Sequence, residues 1–126
     1  MAIRILEIDR PTNRGNIYPR AVVEVALAKH IAKLGANQMG IFRGINISQE
    51  DMVGVAENLR IEDGYLVADV KLVDTWVNEM VAKGSRNFCL RPIGHGIADP
   101  NTGILLEGYE FHALTVRMPP ETYEKN

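Results

Sequence analysis

Residues 53–72 read VGVAENLRIEDGYLVADVKL. Two runs rich in Val, Ile, Leu and Ala flank Asp63-Gly64, and an Asp-Gly pair between two such runs is the strongest short-range signal for a β-hairpin. We therefore predict one strand on each side of Asp63-Gly64, with the two strands paired antiparallel. The other predicted elements are placed around this hairpin.

Two helices are predicted, one on each side of the hairpin. The first spans residues 20–34 and ends at Gly35, a residue type that commonly closes helices. The second spans residues 75–83 and ends before Gly84. In the first helix, apolar residues recur on one stripe, which predicts a face packed against the core: Val23, Leu27, Ile31 and Leu34.

Further strands are predicted at residues 3–8 and 39–43, and in a final hairpin. The arms of that hairpin are residues 88–97 and 104–118, and its turn is residues 99–103. The order of strands and helices predicts an α+β fold with a mostly antiparallel sheet that curls or closes into a small β-barrel.

Length and composition suit a single domain covering residues 1–126, with a loop at 9–19 and a short polar tail at 119–126. The chain has 126 residues, a formal net charge of −2 and one Cys. Interleaved charges of both signs disfavour nucleic acid as the main partner. No apolar run is long enough to cross a bilayer, so no membrane is expected. A single Cys excludes a disulfide framework and fits a reducing compartment or one in which cross-links are unnecessary.

The histidines of the chain are His30, His95 and His112, and no pair of them has the spacing of metal ligands. We therefore expect no metal and no cofactor. His30 is expected at the boundary of the first helix's apolar stripe. Gly94-His95-Gly96 is too short to cradle a phosphate and does not open a helix.

Cys89 and His112 form the one pairing that invites a catalytic interpretation. If the final hairpin turns at Pro100-Asn101, the numbers of facing residues sum to 201, so Cys89 faces His112. Their Cβ atoms would then lie about 5 Å apart, within reach of a thiol–imidazole pair. The alternative is that Cys89 packs as a small buried hydrophobe, and a bulge at Pro92 would also separate the pair.

Several segments together resemble the prohead (head-maturation) protease family of tailed bacteriophages, whose fold is related to herpesvirus assemblin. Residues 13–20 (NRGNIYPR) are similar to the family's opening segment, which also leads into a helix. Residues 53–74 resemble its central hairpin, and residues 87–94 (NFCLRPIG) resemble the segment that carries its nucleophile. Residues 108–119 resemble its closing strand. The resemblance implies a prohead-protease-like fold over residues 3–119.

The chain departs from this family at both catalytic positions. Where the family has adjacent serines, this chain has Cys89 and Leu90. The family's general base is a His after the first helix, and the matching residues 38–44 (QMGIFRG) contain none. A serine-type hydrolase without its Ser and its base lacks the acyl-transfer step.

These departures favour a non-catalytic structural protein of the phage head: a decoration (cement) or auxiliary protein that binds and stabilises the shell of major capsid protein. We expect it in the virion, assembled in the host cytoplasm, with copies of itself around the capsid symmetry axes. The alternative is a prohead maturation endopeptidase that uses Cys89 with His112. A third possibility is a generic small β-rich interaction module whose resemblance to the family is accidental.

The surfaces expected to contact the capsid lie in the first loop, the segment after the first helix, and the tail. The residues expected to bind there are Arg10, Asn13, Arg14, Tyr18, Phe42, Arg43 and Tyr123.

Overall fold

The computed structural model describes residues 2–12, 15–44, 47–73 and 89–117. Six strands form one sheet in the order β1-β4-β3-β2-β6-β5. All neighbouring strands are antiparallel except β2 and β6, which are parallel. The strands are β1 Ala2–Glu7, β2 Gln38–Arg43, β3 Met52–Glu62, β4 Tyr65–Leu72, β5 Cys89–His95 and β6 Glu110–Arg117.

The β3–β4 hairpin is confirmed. Asp63 and Gly64 both have positive φ angles, 51° and 79°, as a two-residue turn of the primed type requires. The pairing starts at Glu62 opposite Tyr65 and shifts by one residue between Glu57 and Arg60. Asn37 holds this bulge, because its side-chain amide donates to the Leu59 carbonyl (3.1 Å) and accepts from the Leu59 N–H (2.9 Å).

The helix α1 Arg20–Leu34 has the predicted bounds. Its first N–H group, that of Arg20, donates to Oδ1 of Asp9 (3.1 Å), so a residue of the preceding loop satisfies one of the unpaired donors at this helix end. The apolar stripe is only partly confirmed. Val23, Ala26 and Leu27 are buried and Ile31 is partly buried, whereas Leu34, the last residue of the helix, is exposed.

The sheet curls into a half-barrel, and residues of its edge strands β1 and β5 come close to each other. α1 packs against β6. The largest fully buried side chains lie on α1, β2, β3, β4, β5 and β6: Met39, Ile41, Leu66, Leu90, Leu114, Val23 and Val53. The predicted curled, mostly antiparallel sheet is thus confirmed.

The helix content differs from the prediction of two main helices. Within the described ranges there is one α-helix, α1, and one short 3₁₀ helix at Gln49–Asp51. The second predicted helix, residues 75–83, lies outside the described residues.

The final hairpin has its turn where the sequence places it but starts its second long strand later. Ala98 pairs with Leu105 across the turn. The chain then makes a second turn around Gly108, and β6 begins at Glu110 rather than at residue 104. These added residues shift the register of all that follows.

Candidate functional site

The fold brings together the two segments that the sequence resemblance marks as catalytic positions. Arg43, at the end of β2, pairs with Val116 of β6, and Val116 pairs with Leu90 of β5. β2 and β5, which flank β6, are therefore two strand spacings apart at this point, about 10 Å. Segment 38–44 and the start of β5 form one neighbourhood in space.

Three side chains in that neighbourhood, those of Leu90, Phe42 and Thr115, serve packing and strand pairing. Leu90 is only 2% exposed, and Phe42 only 6%. The Thr115 hydroxyl donates to the carbonyl oxygen of Gly44 (2.6 Å) and so fastens β6 to the end of β2. A threonine engaged in this way supports the strand junction, and segment 38–44 offers no imidazole to remove a proton from a nucleophile.

The predicted pairing of Cys89 with His112 is wrong. Cys89 pairs with Arg117, and His112 lies where the register shifts between Ile93 and Gly94. Five residues of extended β6 separate position 117 from His112, which corresponds to about 17 Å along the strand. The physical reason is the extra turn around Gly108 together with a β-bulge, which displace the two arms from the register that a simple turn at Pro100-Asn101 would give.

His112 lies in a surface groove between α1 and β6. The groove is lined by His30, Lys33, Leu34, Phe111 and His112. His30, half-buried at the edge of the apolar stripe of α1, places Nε2 2.8 Å from the carbonyl oxygen of Gln38, which links α1 to β2. Among the described residues, no group of three or more His, Cys, Asp or Glu side chains could hold a metal ion. No helix in the described ranges has the length and apolarity needed to span a membrane.

Tyr109 explains the Gly94-His95-Gly96 segment. A Cβ at Gly94 would fall on the Tyr109 hydroxyl oxygen, and a Cβ at Gly96 would lie 2.6 Å from the Tyr109 ring. Both glycines are therefore needed for the ring to lie against β5. The ring also makes edge-to-face contacts with Tyr18 (5.6 Å between centroids) and Phe111 (5.2 Å).

Burial raises the pKa of Tyr109 above its ordinary range, and the neighbouring Tyr18 side chain adds to the shift through its charge interaction and a hydrogen bond. The neutral phenol is therefore the form that the fold stabilises. Sequence reasoning missed this residue. The signal available was the spacing of two glycines in a strand, which marks close approach by another group.

The residues predicted to bind the capsid lie in different environments. Arg10 is exposed and forms an ion pair with Glu7 (3.2 Å). Tyr18 packs on Tyr109, Phe42 is buried, and Arg43 is exposed. Asn13, Arg14 and Tyr123 lie outside the described residues. Burial leaves Phe42 little surface to offer a partner, and binding by the others stays a prediction.

Comparison with known proteins identifies the fold. No family model and no curated protein sequence matches the chain. Among solved structures, the capsid assembly protease of bacteriophage T4 is similar, with a TM-score of 0.72 and 14% sequence identity. The match covers 92% of this chain and 79% of the T4 chain. The chain therefore has a prohead-protease-like fold.

Proposed function

We propose that this chain is a non-catalytic structural protein of a phage head, a decoration or auxiliary protein that binds and stabilises the shell of major capsid protein. The similar T4 protein is a capsid assembly protease. This chain has a fold of that kind, and the segments that resemble the family's catalytic segments carry Cys89 and Leu90 in place of adjacent serines and no His in residues 38–44. The virion is then its location, and the major capsid protein its main partner.

The observation that carries the proposal is the register of β5 on β6. It pairs Cys89 with Arg117 and leaves His112 about five residues further along the strand. In the endopeptidase alternative, the thiol of Cys89 needs a base within reach to remove its proton. Because His112 lies this far from Cys89 and residues 38–44 contain no His, neither of them supplies the thiol with a base.

The alternative, an endopeptidase that uses Cys89 and His112, is favoured only by the shared fold. For a direct proton transfer the donor and acceptor atoms must come within about 3 Å. The backbone of β5 would have to slide by five residues to bring these two positions opposite each other, and such a slide would break every β5–β6 pair. We therefore rank it second.

The test uses purified heads assembled from the major capsid protein that is encoded with this chain. We expect the protein to sediment with the heads in a fixed ratio to the capsid protein and to raise the temperature at which the heads fall apart. We also expect it to leave capsid and scaffold proteins uncut, with wild type and Cys89→Ala giving identical fragment patterns by mass spectrometry. Cleavage by wild type that Cys89→Ala abolishes would contradict the proposal and support the endopeptidase.

A further inference from the structure

An apolar face lies at the end of the molecule where the first loop meets the final turn. Ile97 pairs with Leu106 beside the bridge between Ala98 and Leu105, and Ile17 forms a parallel bridge to Ile104. Side chains of paired residues share a face, and alternate residues along each arm return to it. We call this surface the ribbon face, and its members are Ile17, Ile97, Ile104 and Leu106.

Three of the four apolar residues of the ribbon face are exposed, and Ile17 is half-buried. Ile97 is 73% exposed, Leu106 45% and Ile104 36%. The two short arms that pair at Ala98 and Leu105 form a ribbon, and the opposite side of this ribbon belongs to the core. On that side Leu105 is buried and Ala98 packs against the core cluster. A ribbon needs only one apolar face to dock on its own sheet, so a second apolar face marks an interaction surface.

The backbone beneath the ribbon face is held in place before any partner arrives. The Ile17 N–H donates to Gly103 (2.8 Å) and the Leu105 N–H donates to Ile17 (2.9 Å), which joins the loop to the turn. Oδ1 of Asp99 accepts from the N–H groups of Asn101 and Thr102, which fixes the turn itself. A surface organised in advance loses little conformational entropy on binding.

The part of the final hairpin that supplies three of the four residues of the ribbon face carries charges of one sign. Residues 92–116 contain the acids Asp99, Glu107 and Glu110 and no Lys or Arg. Glu107 directly follows Leu106, and Glu110 lies opposite His95 at the start of β6. Arg10, in the adjoining loop, is already paired with Glu7. An acidic rim around an apolar centre is complementary to an apolar depression with Lys or Arg at its edge.

We propose that the ribbon face is the surface through which this chain docks on the shell, inserting Ile97 and Leu106 into an apolar, basic-rimmed depression of the major capsid protein. This inference rests on the proposed function and replaces Phe42 as the apolar anchor. Exposed apolar side chains at the centre of an interface, with charges at its rim, are the arrangement in which a few residues supply most of the affinity.

The test compares shell binding by wild type, Ile97→Ser, Leu106→Ser and the control Val25→Ser. Val25 is a 53% exposed apolar residue of α1, away from the ribbon. We expect each ribbon variant to bind heads at least about tenfold more weakly, and the control to bind like wild type. Because all three side chains are exposed, thermal unfolding should be little changed, which separates loss of binding from loss of folding.

A second pair of variants tests the rim. Glu107→Lys should weaken binding severalfold and reduce the loss of affinity on adding salt, whereas Glu50→Lys, on the 3₁₀ helix, should do neither.

The outcomes separate the two proposals. Ribbon variants that bind heads as tightly as wild type and Val25→Ser would overturn the ribbon face while leaving the proposed function intact. Wild type that does not bind heads at all would overturn the proposed function and this inference with it. Self-association that Leu106→Ser abolishes, with head binding unchanged, would assign the ribbon face to a second copy of this chain and overturn its assignment to the shell.

Discussion

The β3–β4 hairpin and the β5–β6 hairpin lie in the same sheet but differ in what joins their strands. Asp63-Gly64 connects β3 to β4 directly, so pairing begins at the turn and continues with one bulge. Between β5 and β6 the chain forms a turn at residues 99–103 and a second turn around Gly108, and β6 carries a bulge at His112. A tight turn sets the register of a whole hairpin, whereas each added residue resets it.

The largest contrast is expected from the tyrosines of the two hairpins. Tyr109 is buried between Tyr18, Phe111 and β5, so Tyr109→Ala should lower the free energy of unfolding by about 3–5 kcal/mol. Tyr65 is half-exposed under the Arg4 guanidinium, which lies 4.2 Å from the ring centroid. Tyr65→Ala should therefore lower the free energy of unfolding by only about 1 kcal/mol. Denaturant unfolding of the two variants checks this difference, and equal losses would contradict the packing assigned to Tyr109.

The bulge in β3 should depend on the side chain of Asn37. Asn37→Ala removes both side-chain hydrogen bonds to Leu59, whose backbone groups are then left unpaired, so we expect a loss of about 1–3 kcal/mol. Gln38→Ala, at an exposed neighbouring position, is the matched control and should change stability by less than about 0.5 kcal/mol. If the two variants unfold alike, the bulge in β3 does not depend on Asn37.

Glycines in the two hairpins are needed for different reasons. Gly94→Ala would place a methyl group on the Tyr109 hydroxyl and should cost about 1–3 kcal/mol through overpacking. Gly64→Ala meets no atom within 4 Å and should cost about 1 kcal/mol, from its positive φ alone. Double variants distinguish the two causes. In a background of Tyr109→Leu, which lacks the hydroxyl, Gly94→Ala should lower the free energy of unfolding by less than it does in wild type, whereas Gly64→Ala should lower it by the same amount.

The smallest effect is expected at alkaline pH. The unfolded chain releases the Tyr109 proton near the ordinary pKa of about 10, whereas burial keeps it bound in the folded chain. The unfolded state then binds fewer protons, so the free energy of unfolding is fully retained below about pH 10 and falls as the pH rises further. In Tyr109→Phe this fall should be shallower, as denaturant unfolding at about pH 8 and about pH 11 would measure.

Most of the fold follows from local signals. Residues 53–72 form the predicted hairpin, α1 has its predicted bounds, and the curled antiparallel sheet follows from their order. Periodicity and turn chemistry act within a few residues, so they are readable in a single sequence. The parallel pairing of β2 with β6 was not predicted, because the two strands are distant in sequence and no local pattern reports their contact.

The candidate site was less predictable because it depends on register. The turn at 99–103 was correctly placed, but the turn around Gly108 and the bulge at Gly94 moved His112 away from Cys89. The role of Tyr109 depends on a contact among β5, β6 and the first loop, which becomes apparent only once these segments are assembled. The absence of a His in residues 38–44 needed only the sequence.

The most direct test of the account is oxidative cross-linking of the native Cys89 to a second cysteine introduced on β6. Directly opposed residues of an antiparallel pair have Cβ atoms about 4.5–5.5 Å apart, close enough for a disulfide after small adjustments. Arg117→Cys should therefore form an intramolecular disulfide, read by mass spectrometry, and His112→Cys should not. A disulfide in His112→Cys but not in Arg117→Cys would contradict the register, and with it the separation of thiol and imidazole on which the non-catalytic role depends.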